Sequence, residues 1–258
     1  MFTERKLADA VAGVRDSHAP DAIVLDSARD FETVPSAKAE ELGLVVDSLT
    51  PYSCPVEWLP ADAPDVLAEF AGSELTIGMP GDGGVVWTHQ TDPPVVIWKP
   101  RLEGSPESFI DFLLAEALVE VRLDEPEHFI GFFEDSYPDF AAATGDRLGP
   151  AETYQLAAAC YDAYLGLQTR DIFADWEGEL FDAWLDAGER LEPRLSDLSG
   201  AIARGELSFP EAAELACSAV KHAGDLPAPF DALDSSVYLD HGPEFAVEWA
   251  KRTVEAFE

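Results

Sequence analysis

The five histidines are the side chains whose ordinary pKa lies nearest neutrality in this chain, and two of them stand near carboxylates. His89 follows an apolar run and lies shortly after Asp82, which sits in the glycine-rich stretch from Pro80 to Gly84. A carboxylate and an imidazole held together can act as a general acid and base. A hydrolase using Asp82 with His89 is therefore one expectation. No serine or cysteine in a strained turn accompanies the couple, so a cross-strand surface histidine is the plainer reading. His241 lies between Asp240 and Gly242, with Glu244 three positions on. Asp240 suits a helix cap at least as well as an acid, and a metal site needs three or four converging ligands. His18, His128 and His222 form no motif and are expected to be ordinary surface or capping residues.

Other motifs are weaker still. Gly81 to Gly84 lacks the spacing of a phosphate loop and joins two strands, not a strand and a helix, so it is expected to be a turn. Cys54, between Ser53 and Pro55, has no neighbouring base or helix start to lower its pKa. Gly205 separates two short helical stretches, but Lys221 is the one basic residue on the second, which makes a poor DNA-reading helix. No cofactor motif and no metal-ligand set emerges, so neither a cofactor nor a metal is expected.

The elements that would position these residues follow from periodicity. A first helix is expected over Glu4 to Ser17, with Thr3 as N-cap and Phe2 and Leu7 as a hydrophobic staple. A short strand or buried turn follows at Ala22 to Leu25, and a second helix at Ser36 to Asp47. Prolines 51, 55 and 60 make the next stretch irregular, and Tyr52, Trp58 and Leu59 are expected to pin it. Asp62 is placed to cap a helix from Pro64 to Phe70. Glu74–Met79, Val85–Gln90 and Val95–Lys99 are expected as strands, the last two as a hairpin around Thr91 to Pro94. Its expected register sets Trp87 near Ile97 and Val86 near Trp98, with one indole on each face.

Ser105 is expected to cap a helix from Pro106 to Arg122. That helix is apolar on two sides, with Glu116 and Glu120 among the few positions reaching water, so it should be covered twice. Beyond it only helices are expected: Pro138 to Thr144, Pro150 to Leu167, Asp171 to Arg190, a capping-box helix from Ser208 to His222, and one from Pro243 carrying Phe245, Trp249 and Phe257. The fold class is thus α+β, a small antiparallel sheet of about three to five strands flanked by helices. A C-terminal all-helical subdomain is docked on it. The boundary is soft: residues 1–123 form the α+β part and 124–258 the helical part.

Charge sets the environment. Acids number 51 against 16 lysines and arginines, a formal net charge of −35. No acid run exceeds two residues, so the carboxylates form an even coat, with a mean spacing of about 15 Å on a surface sized for this chain. Such a coat repels itself in dilute buffer, whereas at about 1 M salt the screening length falls to about 3 Å. Adaptation to a salt-filled cytoplasm is the expectation. An acidic nucleic-acid mimic is the alternative, but it would concentrate its charge on one face. Binding to nucleic acid or an anionic membrane through a basic patch is disfavoured, because the bases are scattered. The three cysteines are far apart and form no paired motif. The N-terminal residues lack the apolar core of a signal peptide, and no apolar run approaches a membrane span.

The order of features resembles one known family. Leu59-Pro60 precedes a helix that ends in Leu67, Ala68, Glu69 and Phe70 with Gly72 after it. Ile77-Gly78 and Gly83-Gly84 sit in the strand region, Pro94-Val95 opens a strand, and Ser105, Ser108, Phe109, Phe112 and Leu113 open the closing helix. This pattern is similar to the SUKH superfamily over residues 36–122. Where that family has Asn-Gly-Gly after the second helix this chain has only Gly72, and the helices after Asp124 have no counterpart in the minimal domain. The resemblance implies a non-enzymatic protein-binding fold of the kind found in toxin-immunity and regulatory proteins.

The expected function is therefore a non-catalytic, cytoplasmic protein-binding role, immunity-like or regulatory, with another protein as partner and an oligomeric state that composition leaves open. The hydrolase with Asp82 and His89, or Asp240 and His241, is the alternative. The expected binding surface comprises Asp82, Trp87, His89, Asp92, Trp98, Lys99 and Arg101, since exposed aromatics and arginines make good anchors. The acidic coat itself makes a prediction. The melting temperature should be higher in about 2 M KCl than in about 0.1 M KCl, and equal values would contradict salt adaptation.

Overall fold

A computed structural model describes residues 2–72, 74–123, 125–145 and 147–256. The chain divides into two compact units. The first draws on residues 1–54, 66–127 and 177–183, and the second on 55–65, 128–176 and 184–258. Two of the positions expected to matter, Asp124 at the boundary and Phe257 in the last helix, lie outside the described residues.

The first unit is built on strands β1 (Phe2–Glu4) and β2 (Ile23–Ser27), separated by helix α1 (Asp9–His18). Helix α2 (Ser36–Ala39) runs on as a 3-10 turn over Glu40–Leu44, and β3 (Ser48–Leu49), α3 (Asp65–Phe70), β4 (Val85–Thr88), β5 (Thr91–Asp92), β6 (Val95–Trp98) and α4 (Glu107–Arg122) follow. The main sheet has the order β1-β2-β6-β4, and β3 pairs with β5 in a small second sheet. The architecture is α+β, with a sheet that is mixed: β2 and β6 run parallel, while β1–β2 and β4–β6 are antiparallel.

Several expectations are corrected here. The segment expected to start the first helix is β1, because Phe2 to Glu4 pair with Leu25 to Ser27 and Phe2 packs on the core. Thr3 is therefore no cap, and α1 begins only at Asp9. Glu74–Met79 is no regular strand. Its residues from Leu75 to Met79 are all buried, one bridge joins Ile77 to Val34, and Gly78 turns the backbone to φ +79°. The hairpin register is shifted by one residue, pairing Val85 with Trp98, Val86 with Ile97 and Trp87 with Val96. Since facing residues share a side of the sheet, both indoles lie on one face, not one on each.

The opposite face carries Leu25, Val86, Val95 and Ile97, which join Val34, Ala39, Leu42, Leu75 and Ile77 in one apolar core. The indole face meets α4, which packs on β4, β6 and α1. Helix α4 begins at Glu107 with Pro106, not Ser105, in the capping position and no side-chain cap. Glu116, expected to reach water, is buried at 6% exposure. The second expected helix stops at Ala39 and tightens into the 3-10 turn.

The second unit is helical. It contains α5 (Phe129–Phe133), α6 (Tyr137–Thr144), α7 (Pro150–Ala174), most of α8 (Glu179–Ser196), α9 (Leu198–Ala203), α10 (Phe209–Val220) and α11 (Ser236–Ala256). The capping box at Ser208 and Glu211 is as expected: Ser208 Oγ accepts from Glu211 N, and the Glu211 carboxylate accepts from Ser208 N at 2.7 Å. The helix expected over Asp171 to Arg190 is instead two, because α7 ends at Ala174 and α8 starts at Glu179. Gly242 breaks α11 with φ 49° and ψ −124° just before Pro243, where a helix start was expected. A left-handed turn of that kind favours glycine. Phe129, Phe132, Phe133, Tyr137 and Phe140 supply an aromatic core whose neighbouring rings meet edge-on or tilted.

Candidate functional site

Lys99 follows the last residue of β6, and its N–H donates to Gly84 O at 2.7 Å, extending the hairpin by one pairing. Alternation along the strand then puts its side chain on the same face as Val95 and Ile97. That is the core face, and Lys99 is fully buried at 0% exposure. Its ammonium lies 4.8 Å from the centre of the Phe31 ring, a cation–π contact. Among the described residues Nζ has no hydrogen-bond partner. Burial pushes its pKa below the ordinary lysine range and the Arg101 charge adds to that, against the pull of Asp82, Glu32 and Asp30.

Arg101, two residues on and exposed, closes a loop over this amine. Its Nε donates to Asp30 Oδ1 at 2.8 Å, Nη2 to Phe31 O at 2.6 Å and to Glu32 Oε1 at 2.9 Å, and Nη1 to Asp82 O at 3.2 Å. The guanidinium hydrogen bond holds the Asp30 carboxyl below its usual range, and the two carboxylates push Arg101 further up. The turn that carries Asp82 is fixed on the same side. Asp82 Oδ2 accepts from Met79 N at 2.6 Å, and Glu32 Oε2 accepts from Gly81 N at 3.3 Å. A Cβ on Gly78 would stand 2.7 Å from Glu32 O and 3.3 Å from Phe31 Cε2, so glycine is what lets the Asp30–Glu32 loop come this close.

Of the seven expected site residues, the structure thus brings together Asp82, Lys99 and Arg101. The three loop residues Asp30, Phe31 and Glu32 complete the cluster and were missed. They sit between a strand and a helix, where no periodicity marks them, and the one available signal was an acid-aromatic-acid triplet. A groove of about 660 Å³ begins where that loop ends, lined by Thr33 to Ser36, Glu69, Gly72 and Glu74 to Thr76.

Trp87, His89 and Asp92 lie elsewhere. The four residues of β4 separate Asp82 from His89 by about 13 Å of strand, so the two are not assembled as an acid–base pair. His89 Nε2 instead meets Val121 O at 3.0 Å, and its ring lies 5.1 Å from that of Trp87. Trp87 Nε1 donates to Glu120 at 2.8 Å. Glu127 accepts from Thr88 Oγ1 and His89 N, each at 2.8 Å, and from Gln90 Nε2. Gln90 in turn fixes the Tyr52 and Thr76 backbones. This second network is a structural clasp that holds the end of β4. The expected hairpin tip is not free, because Thr91 and Asp92 pair with Leu49 and Ser48, although the Asp92 side chain is exposed. Trp98 is half-buried, with Arg5 stacked 5.0 Å from its ring.

The other chemical candidates do not converge. Asp240 and His241 are both exposed on α11, where consecutive side chains diverge by about 100°. Cys54, Cys160 and Cys217 are buried free thiols, and burial pushes all three up. No group of three metal-binding side chains occurs among the described residues. No helix among them is long and apolar enough to cross a membrane.

The fold and cluster together define an acidic α+β protein that buries a cation at the end of an interior strand of a mixed sheet. Residues 1–257 match the model of a family of unknown function (DUF7089), and the chain belongs to that family. No curated protein and no solved structure matches it.

The buried amine makes a stability prediction. Its folded pKa lies below the unfolded value of 10.5, so between the two the unfolded chain binds more protons and stability rises with pH. Lys99→Met removes the desolvated charge and keeps the length. Its melting temperature at pH 7 should exceed that of the wild type by about 2–4 °C. That margin should shrink as the pH rises toward the unfolded value. A constant difference across the range would show that the amine is not desolvated.

Proposed function

We propose that this chain is a non-catalytic protein-binding module of a salt-rich cytoplasm, with an immunity-like or regulatory role, and that its binding surface is the Arg101 end of the hairpin. The observation that carries this reading is the placement of Lys99 and Arg101. One guanidinium clasps an exposed loop over a fully buried ammonium that has no hydrogen-bond partner among the described residues. Folds tolerate such a cost at functional sites more readily than in plain cores.

Three further features support it. The groove beside the loop gives a concave surface for a chain segment. The side chains that acid–base chemistry would need are committed to the backbone, Asp82 to Met79 and His89 to Val121. The resemblance to SUKH proteins points to the same class of function. The net charge of −35 supports working conditions in concentrated salt.

Affinity capture from cells held at high salt, followed by mass spectrometry, tests the surface. A partner recovered with the wild type should also be recovered with Arg252→Ala, whose side chain is exposed and pairs with Glu248 on α11. It should be lost with Arg101→Ala. Equal recovery by Arg101→Ala would place the binding surface elsewhere.

A further inference from the structure

The loop from Asp30 to Glu32 treats Lys99 and Arg101 as a bound acidic ligand would. Two carboxylates and a carbonyl fill the Arg101 fork, and an aromatic ring lies on the Lys99 ammonium. The loop nevertheless serves the site incompletely. Its carboxylates point outward, 47% and 53% exposed, while the buried Nζ is left without an acceptor among the described residues. Both acids are held by exposed ion pairs, which contribute little and weaken in salt.

We propose that Lys99 and Arg101 form a binding site for an acidic peptide segment of the pattern acid-aromatic-acid, and that Asp30–Phe31–Glu32 is the chain's own strap, which such a segment displaces. The proposal rests on the protein-binding reading and names the partner's chemistry at that surface. Exchanging one pair of carboxylates for another leaves the Arg101 fork as well filled as before. An incoming segment is free of the bridge that ties the strap to Ile77 through Val34. It can therefore set a carboxylate against Nζ, where the strap sets only a ring. Displacement must lift the half-buried Phe31 ring off the apolar core it packs against, a contact that the aromatic residue of the incoming segment replaces in kind, while Glu32 is exposed and leaves without a packing loss. Molar salt removes the long-range repulsion that an acidic ligand would otherwise meet.

The strap itself supplies the probe. A fluorescein-labelled octapeptide with the sequence of residues 28–35, Ala-Arg-Asp-Phe-Glu-Thr-Val-Pro, is titrated into the full-length protein in about 2 M KCl and followed by anisotropy. A strap-released variant, Asp30→Asn with Phe31→Ala and Glu32→Gln, should bind it about tenfold tighter than the wild type, because the internal competitor is gone. Adding Lys99→Met to that variant should lose about tenfold. Equal binding by wild type and strap-released protein, indifference to Lys99→Met, or no binding by the folded variant would each overturn the proposal.

If the triple variant does not fold, the single Glu32→Gln variant is acetylated with a sulfo-N-hydroxysuccinimide ester and mapped by mass spectrometry. Lys99 should label about fivefold faster than in the wild type, and the octapeptide should restore protection. Identical labelling with and without the substitution overturns the strap. Neither readout uses the natural partner, so failure of the peptide exchange and failure of the protein-binding reading are separate results.

Discussion

A single charged amine on the core side of β6 sets the conditions for everything around it. Strand alternation places Lys99 at the end of the interior strand β6, on the same face as Val95 and Ile97, where water cannot reach it. Burying a charge is tolerated when other groups compensate. Here the compensation is a phenyl ring at 4.8 Å and three carboxylates arranged nearby, with no hydrogen bond to the amine among the described residues. The Arg101 clasp, the acid-aromatic-acid loop and the missing Cβ of Gly78 all act to keep that compensation in place.

The carboxylates do two different jobs in this molecule. Most of the 51 acids belong to a surface whose net charge of −35 is bearable in concentrated salt. A few are spent inside hydrogen-bond networks. Glu127 holds the end of β4 through Thr88, His89 and Gln90, and Glu120 takes the Trp87 indole. Around Arg101 the acids are neither coat nor clasp alone, because they are ligands that another acidic segment can imitate.

Much of the architecture was legible in the sequence, and the failures have physical causes. The Ser208 capping box and the helical run from Glu107 to Arg122 depend on local signals, and both stand as read, apart from the α4 cap and the burial of Glu116. The β1 strand was misread because Phe2 to Glu4 carry no strand pattern of their own and become a strand only by pairing with β2. The parallel pairing of β2 with β6 joins residues more than seventy positions apart, a contact that periodicity cannot report. In the hairpin, a one-residue slip moved an indole to the wrong face, since the side-chain period is two. At the site, alternation through Val95, Ile97 and Lys99 already pointed inward. What concealed the buried amine was the usual exposure of lysine, and what concealed its cover was the lack of any periodicity in the loop from Asp30 to Glu32.

Lysine side-chain titration by NMR, with ¹³C at the ε-carbons, addresses the buried charge directly. Lys99 is assigned by its absence from the spectrum of Lys99→Met. A buried, desolvated ammonium titrates below the ordinary lysine value of about 10.4, and its midpoint should rise toward that value in Arg101→Ala as the loop opens and water reaches it. A Lys99 midpoint at the ordinary value in the wild type, unchanged by Arg101→Ala, would contradict both the burial of the charge and the loop that covers it.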